Sequence, residues 1–148
     1  MTFLSSERTV ETGSVIGNRY RLGGLLGRGG MAEVYDGVDG CLERPVALKL
    51  LRPELALRQD VRRRFEADAR AAAGISHPNA VAVYDTGEHH GLPFLVMERL
   101  PGDTLADRIA AGAMEAAWLR DAALGVLGAR AVAHGAGIVH RDVKPGCR

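Results

Sequence analysis

Gly27-Arg28-Gly29-Gly30-Met31-Ala32-Glu33-Val34, followed by Val46-Ala47-Leu48-Lys49, is the stretch on which the reading of this chain turns. Glycines at 27, 29 and 30 let backbone N–H groups approach a phosphate with no Cβ in the way. A glycine-rich hairpin with no ligand has the same composition, so this motif alone leaves both readings open. Two other phosphate loops are excluded. A dinucleotide-binding turn needs a helix directly after its glycines, whereas Glu33-Val34-Tyr35-Asp36 alternates like a strand. A Walker loop needs Gly-Lys-Ser/Thr, which does not follow. Lys49 lies in an apolar run, where an unpaired ammonium is costly. It calls either for an anionic partner or for a stem that snorkels to the strand edge.

Outward from this stretch, short apolar segments separated by turn residues predict strands over 20–26, 32–38 and 46–51, an antiparallel meander. Residues 60–73 switch to helical spacing. Asp60 is the expected N-cap, Val61, Phe65, Ala69, Ala72 and Ala73 face inward, and Arg62, Arg63, Arg64 and Arg70 face solvent. That arginine run reads as a solvated helix face. His77-Pro78-Asn79 ends the helix, and two more strands are expected over 80–84 and 92–98 around a turn at 87–91. Five strands and one helix make an α+β layered unit. Thr104 and Asp107 fit a capping box for a short helix, and residues 115–134 fit a long one. Apolar residues stand around most of its circumference, from Trp118 and Leu119 to Leu124, Val126, Leu127 and Val132, so it expects burial on several sides. Residues 1–18 carry no periodicity and are expected to be a flexible leader, with order starting near Tyr20.

The 148 residues are 47% hydrophobic and 25% charged, with a formal net charge of +1. This is the composition of an ordinary globular chain and gives no basis for binding nucleic acid. No apolar run reaches membrane-spanning length and no signal peptide pattern opens the chain, so a cytoplasmic location is expected. Cys41 and Cys147 do not form a disulfide framework and read as free thiols. His89-His90 lacks further ligands, so no metal site is expected there.

After the long helix comes His140-Arg141-Asp142-Val143-Lys144-Pro145. An isolated HRD tripeptide means little, but the ordered set of glycine-rich loop, Val-Ala-Leu-Lys strand and HRDxKP string resembles the signature of protein kinases. The resemblance is to bacterial serine/threonine kinases that share the eukaryotic kinase fold. It runs from about Arg19 to the end, with Ser76-His77-Pro78-Asn79 and residues 81–87 as softer markers. It implies a small lobe over 19–100, hinge included, and the start of a large lobe over 101–148. The activity implied is ATP-dependent phosphorylation of protein serine or threonine. Leu26, Val34 and Ala47 would sandwich the adenine, with Met97 at the back of its pocket and the backbone of Glu98 and Leu100 on the purine edge. Gly27 and Gly29 belong to the phosphate-covering loop. Lys49 would hold the α- and β-phosphates, Asp142 would accept the substrate hydroxyl proton, and Lys144 would neutralise the transferred phosphoryl group. Arg141 would read activation-loop phosphorylation.

The chain departs from that pattern at named positions. The glutamate that pairs with the strand lysine falls on Asp68, one methylene shorter. Glu66 points to nearly the opposite face and does not replace it. Ala32 stands for the third glycine. Cys147 stands where the family has a magnesium-binding asparagine, and a thiol is a poor ligand for a hard cation. Neither Asp-Phe-Gly nor Ala-Pro-Glu follows within these residues. The expectation is therefore a truncated kinase portion, with ATP as ligand, no metal ligands of its own and no catalysis by itself. The alternative is a non-catalytic nucleotide-binding module or one that docks on an intact kinase.

Overall fold

The structure, a computed structural model, describes residues 10–147. They form two compact units, one of residues up to 69 with 83–99, the other of 70–82 with 100–147. The first is a six-stranded antiparallel sheet, β1 (Val15–Ile16), β2 (Tyr20–Arg28), β3 (Ala32–Asp39), β4 (Arg44–Leu51), β5 (Val83–His89) and β6 (Leu92–Glu98), in the order β1-β2-β3-β4-β6-β5. Helix α1 (Gln59–Ala73) follows β4 through a short 3₁₀ turn, Pro53–Leu55. The expected α+β layering holds.

The sheet has six strands rather than five. The extra one, β1, lies inside the expected leader, whose first nine residues are outside the described ones. Two residues are too few to carry a strand signal, and what fixes β1 is burial: Ile16 is fully buried in the core with Tyr20, Leu22, Leu48 and Phe94, and Val10 packs against the same cluster. The fifth strand is also displaced. It runs over Val83–His89 instead of 80–84, and the turn is made by His90 and Gly91, both at positive φ, 49° and 81°. Gly87 is a strand residue paired with Phe94, and glycine is needed there because a Cβ would lie 2.9 Å from the Phe94 ring.

One sheet face carries the cluster just named. The other packs Leu51, Leu92 and Leu95 against Phe65 and Ala69 of α1. Val61 and Ala72 are half-buried on that helix face as expected, but Ala73 is exposed. Asp60 is not the cap: α1 begins at Gln59, and Asp60 sits in its first turn, where a carboxylate is favourable, bonded to Arg58 at 2.9 Å. Nor does Arg62 face solvent. Its guanidinium donates to the Gly91 carbonyl at 2.8 Å and to Glu88 at 2.6 Å, tying α1 to the β5–β6 turn.

The β3–β4 turn is built on Asp39, which is fully buried. Arg19 donates to both its oxygens, at 2.9 and 2.7 Å, and the Cys41 and Leu42 amides donate to Oδ1. The Arg19 hydrogen bonds hold this carboxyl far below the usual carboxylate range. Irregularities in the β2–β3 register fall between Leu22 and Leu25 and between Leu25 and Gly27, where β2 bends.

In the second unit, Thr104 caps α2 (Leu105–Ala111) with the expected box. The Asp107 amide donates to Thr104 Oγ1 at 3.1 Å, and the Thr104 amide to Asp107 Oδ2 at 2.8 Å. Helix α3 (Ala116–Gly135) matches the expected long helix, and none of its residues is buried. Trp118, Leu119, Leu124, Val126, Leu127 and Val132 are exposed. Gly125 and Gly128 let the Asn79 and His77 side chains approach this helix closely.

Candidate functional site

Strand register assembles the residues of the first unit. Val34 lies opposite Lys49, and Lys49 opposite Leu95; Asp36 lies opposite Ala47, and Ala47 opposite Met97. Directly opposed residues share a face, so Val34, Ala47, Lys49 and Met97 stand on one face of the sheet, the face that α1 partly covers. Ala47 is buried, while Val34, Lys49 and Met97 are half-buried. Leu26, half-buried, follows Leu25, which pairs on the opposite face with Tyr35. The result is an apolar shelf beside a single ammonium.

The glycine-rich stretch closes the β2–β3 hairpin. Gly27 lies opposite Val34, and the Gly29 amide donates to the Ala32 carbonyl at 2.8 Å. Gly27 and Gly30 have open space where a Cβ would be, which is what a backbone able to accept a close ligand requires. Tyr35 points to the other face. Burial and its bond to Glu33 at 2.6 Å push this phenol up to about 12.

Lys49 and Asp68 are not brought together. Asp68 is exposed on α1, and no ion pair among the described residues joins the two. The group that faces the Lys49 ammonium is the ring of Phe65, 6.0 Å from Nζ to centroid, at the outer limit of a cation–π contact. The carboxylate of Asp68 is a methylene shorter than glutamate, and Arg62 fixes the helix from its other end.

At the end of β6, Glu98 lies opposite Val46 and is half-buried, as is Arg99. Arg99 Nε donates to Asp36 Oδ1 at 3.0 Å. This pair was not anticipated, although a signal existed: an acid two residues after Val34 on the same face, and an arginine two residues after Met97. Leu100, also half-buried, begins the second unit.

In the second unit the HRDxKP segment forms a compact loop. Lys144 Nζ donates to Asp142 Oδ2 at 2.8 Å, and the Asp142 amide donates to His140 Nδ1 at 3.2 Å. The Lys144 hydrogen bond and charge hold the Asp142 carboxyl below its usual range, and Asp142 raises Lys144 in turn. Arg141 adopts φ 66°, a left-handed conformation unusual for a side-chain-bearing residue, which turns the chain between His140 and Asp142. The Ala106 amide anchors the loop by donating to the Pro145 carbonyl at 3.0 Å. Cys147 Sγ donates to the Asp142 carbonyl at 3.3 Å. Both cysteines are free and exposed.

The comparisons with known proteins agree in direction. The family described as the protein kinase domain matches residues 20–146. A probable serine/threonine-protein kinase of Streptomyces coelicolor is 45% identical over 135 residues, covering 88% of this chain and 20% of that protein. Serine/threonine-protein kinase PknB of Mycobacterium leprae is 42% identical, over 88% of this chain and 22% of its own length. Among solved structures, the kinase domain of Mycobacterium tuberculosis PknI superposes with a TM-score of 0.76 at 29% identity, over 93% of this chain and 56% of that one. The chain thus spans about a fifth of the length of the curated relatives it matches. With the family's match running from the first residue of β2 to the end of the HRDxKP loop, the chain belongs to the protein kinase domain family.

Proposed function

We propose that this chain is the nucleotide-binding portion of a serine/threonine protein kinase, whose whole protein transfers the γ-phosphoryl group of ATP to serine or threonine of a protein substrate. One observation carries the reading: the register that sets Val34, Ala47, Met97 and Lys49 on one sheet face beside the Gly27–Gly30 hairpin. In this reading Leu26, Val34 and Ala47 enclose the adenine, Met97 backs it, and the backbone of Glu98 and Leu100 meets the purine edge. Gly27 and Gly29 cover the phosphates, and Lys49 neutralises the α- and β-phosphates. An apolar shelf rewards the base through burial, while a single half-buried ammonium rewards the phosphates.

Asp142 receives the proton of the attacking hydroxyl, and Lys144 balances charge on the phosphoryl group in flight. The Asp142–Lys144 bond favours the ionised carboxylate, the form that accepts a hydroxyl proton. Arg141 is assigned to activation-loop phosphate. The location proposed is the cytoplasm, where ATP is abundant; among the described residues no helix is long and apolar enough to cross a membrane.

Magnesium, which the family uses, does not fit the donors present here. At the asparagine position Cys147 offers sulfur, already turned to the Asp142 carbonyl, and among the described residues no cluster of His, Cys, Asp and Glu could hold a metal ion. We therefore assign residues 1–148, taken by themselves, nucleotide contact without phosphoryl transfer, with Asp68 too weakly placed to orient Lys49. A second reading, a non-catalytic module that docks on an intact kinase, draws on the exposed apolar face of α3. Incubation of residues 1–148 with labelled Mg-ATP and a basic protein substrate should give no incorporation. Incorporation that disappears in Asp142→Asn would overturn the inactive assignment.

A further inference from the structure

A partly open cavity of about 200 Å³ lies away from the nucleotide shelf, walled by Leu50, Leu92, Pro53 and Val10, with Glu33 and Tyr35 as its polar lining. Glu33 and Tyr35 alternate with Val34 along β3, and Leu50 lies opposite Glu33, so these three stand on the sheet face opposite Val34 and Lys49. Leu50 belongs to one core cluster and Leu92 to the other, and Val10 packs against both, so the cavity sits at the seam between them. Its one charged wall is poorly compensated. The Glu33 side chain is only 19% exposed, yet Arg28 reaches Oε1 through Nε alone, at 3.4 Å and from a side chain that is 73% exposed. Tyr35 donates to Oε2 at 2.6 Å, and among the described residues no other hydrogen bond reaches this carboxylate. A carboxylate has about four lone-pair sites, so one is firmly filled, one loosely, and the rest stay open.

We infer that this cavity binds a small organic cation, a primary amine whose apolar body lies against Leu50, Leu92, Pro53 and Val10 and whose ammonium donates to Glu33. Volume sets the size. A dry cavity of about 150 Å³ holds benzene, so this one suits an aromatic ring with a short tether. Charge sets the class. An anion would be repelled by Glu33, and a neutral apolar molecule would strip water from the carboxylate without replacing its hydrogen bonds. An ammonium supplies those donors in charge-assisted form. The Tyr35 phenol, pushed up to about 12 by burial and by its bond to Glu33, stays neutral at ordinary pH and adds no second negative charge to the lining. None of the lining residues belongs to the nucleotide shelf, so the inference stands apart from the nucleotide-binding reading.

The test follows backbone amide shifts of the 148-residue chain by nuclear magnetic resonance during titration with phenethylamine, phenethyl alcohol and hydrocinnamate, one skeleton with a cationic, a neutral and an anionic head. Phenethylamine should move the Glu33, Tyr35, Leu50 and Leu92 amides saturably, with a dissociation constant on the order of 1 mM. Phenethyl alcohol should bind about tenfold more weakly, and hydrocinnamate more weakly still, because only the ammonium makes the charge-assisted contact. Glu33→Gln keeps the side-chain shape and an acceptor for Tyr35, and should bring phenethylamine down to the affinity of the alcohol. The inference would be overturned by the absence of saturable shifts, by equal affinities for amine and alcohol, or by amine shifts centred on Val34, Lys49 and Met97. Undiminished amine binding in Glu33→Gln would overturn it as well. Should that variant fail to fold, the comparison of amine with alcohol on the unaltered chain decides alone.

Discussion

Replacing Ile16 by alanine tests whether the residues ahead of Tyr20 belong to the folded unit. Ile16 is fully buried between Tyr20, Leu22 and Phe94, in a strand of only two residues. Ile→Ala removes three carbon atoms, a transfer loss of roughly 2.4 kcal/mol at about 0.8 kcal/mol per methylene. A cavity term adds to this where neighbours cannot collapse, and Phe94 is confined on two sides by the tight approach to Gly17 and Gly87. The total expected is about 3 kcal/mol. For a chain of this size that corresponds to a drop in Tm of roughly 6–12 °C. Urea unfolding followed by far-UV circular dichroism gives the free energy, with an unchanged denaturant slope as the sign that the denatured state is unaffected. Val15→Ala, on the exposed side of the same strand, serves as the control and should cost less than about 0.5 kcal/mol. A loss below about 1 kcal/mol at Ile16 would refute the placement of β1 in the core.

Other consequences follow from named contacts. Gly37→Ala forces a methyl group against Leu48 and the Arg21 carbonyl and should cost about 1–3 kcal/mol, read in the same unfolding assay. Burial, then the bond to Asp85, pushes the Tyr20 phenol up to about 12, and Tyr35 is raised to about 12 as well. Their folded values exceed the ordinary value near 10, so the stability they contribute is complete below about pH 10 and is lost as pH rises toward about 12. Ultraviolet titration should show two phenols ionising late, with unfolding accompanying them, and Tyr20→Phe should reduce the alkaline loss. Asp68→Glu lengthens the carboxylate toward Lys49 and should strengthen ADP binding by up to about fivefold, the worth of one partly exposed pair. Unchanged affinity would mean that α1, tethered by Arg62, holds position 68 out of reach whatever its length.

How far the sequence reached depends on where each signal resides. The meander, α1, the Thr104–Asp107 box and α3 were legible because alternation, helical spacing and capping are local properties. Strand β1 was not, since nothing in Val15-Ile16 distinguishes it from the coil around it until Phe94 and Leu48 close over Ile16. Gly87 was misread as a turn because a glycine that admits an aromatic ring and a glycine that permits positive φ look identical in one dimension. Arg62 was misread for a similar reason: an arginine on a charged helix face and one reaching a distant carbonyl differ only in their tertiary partners. At the candidate site, the motif residues on β3, β4 and β6 fell on one face because parity along a strand is fixed by sequence. The missing Lys49–Asp68 contact depends on helix placement, and the Arg99–Asp36 bond on three strands meeting. Neither is a property of any single segment.

The central claim is that the β3–β4–β6 face, with Lys49 at its edge, holds a nucleoside phosphate. Titration of fluorescent ADP into the 148-residue chain and into Lys49→Met measures this directly, since methionine keeps the apolar stem and removes only the charge. Loss of the charge-assisted contact to phosphate, about 1.5–3 kcal/mol, predicts binding at least tenfold weaker in Lys49→Met, with adenosine affinity unchanged. Equal ADP affinity in the two proteins would contradict the account.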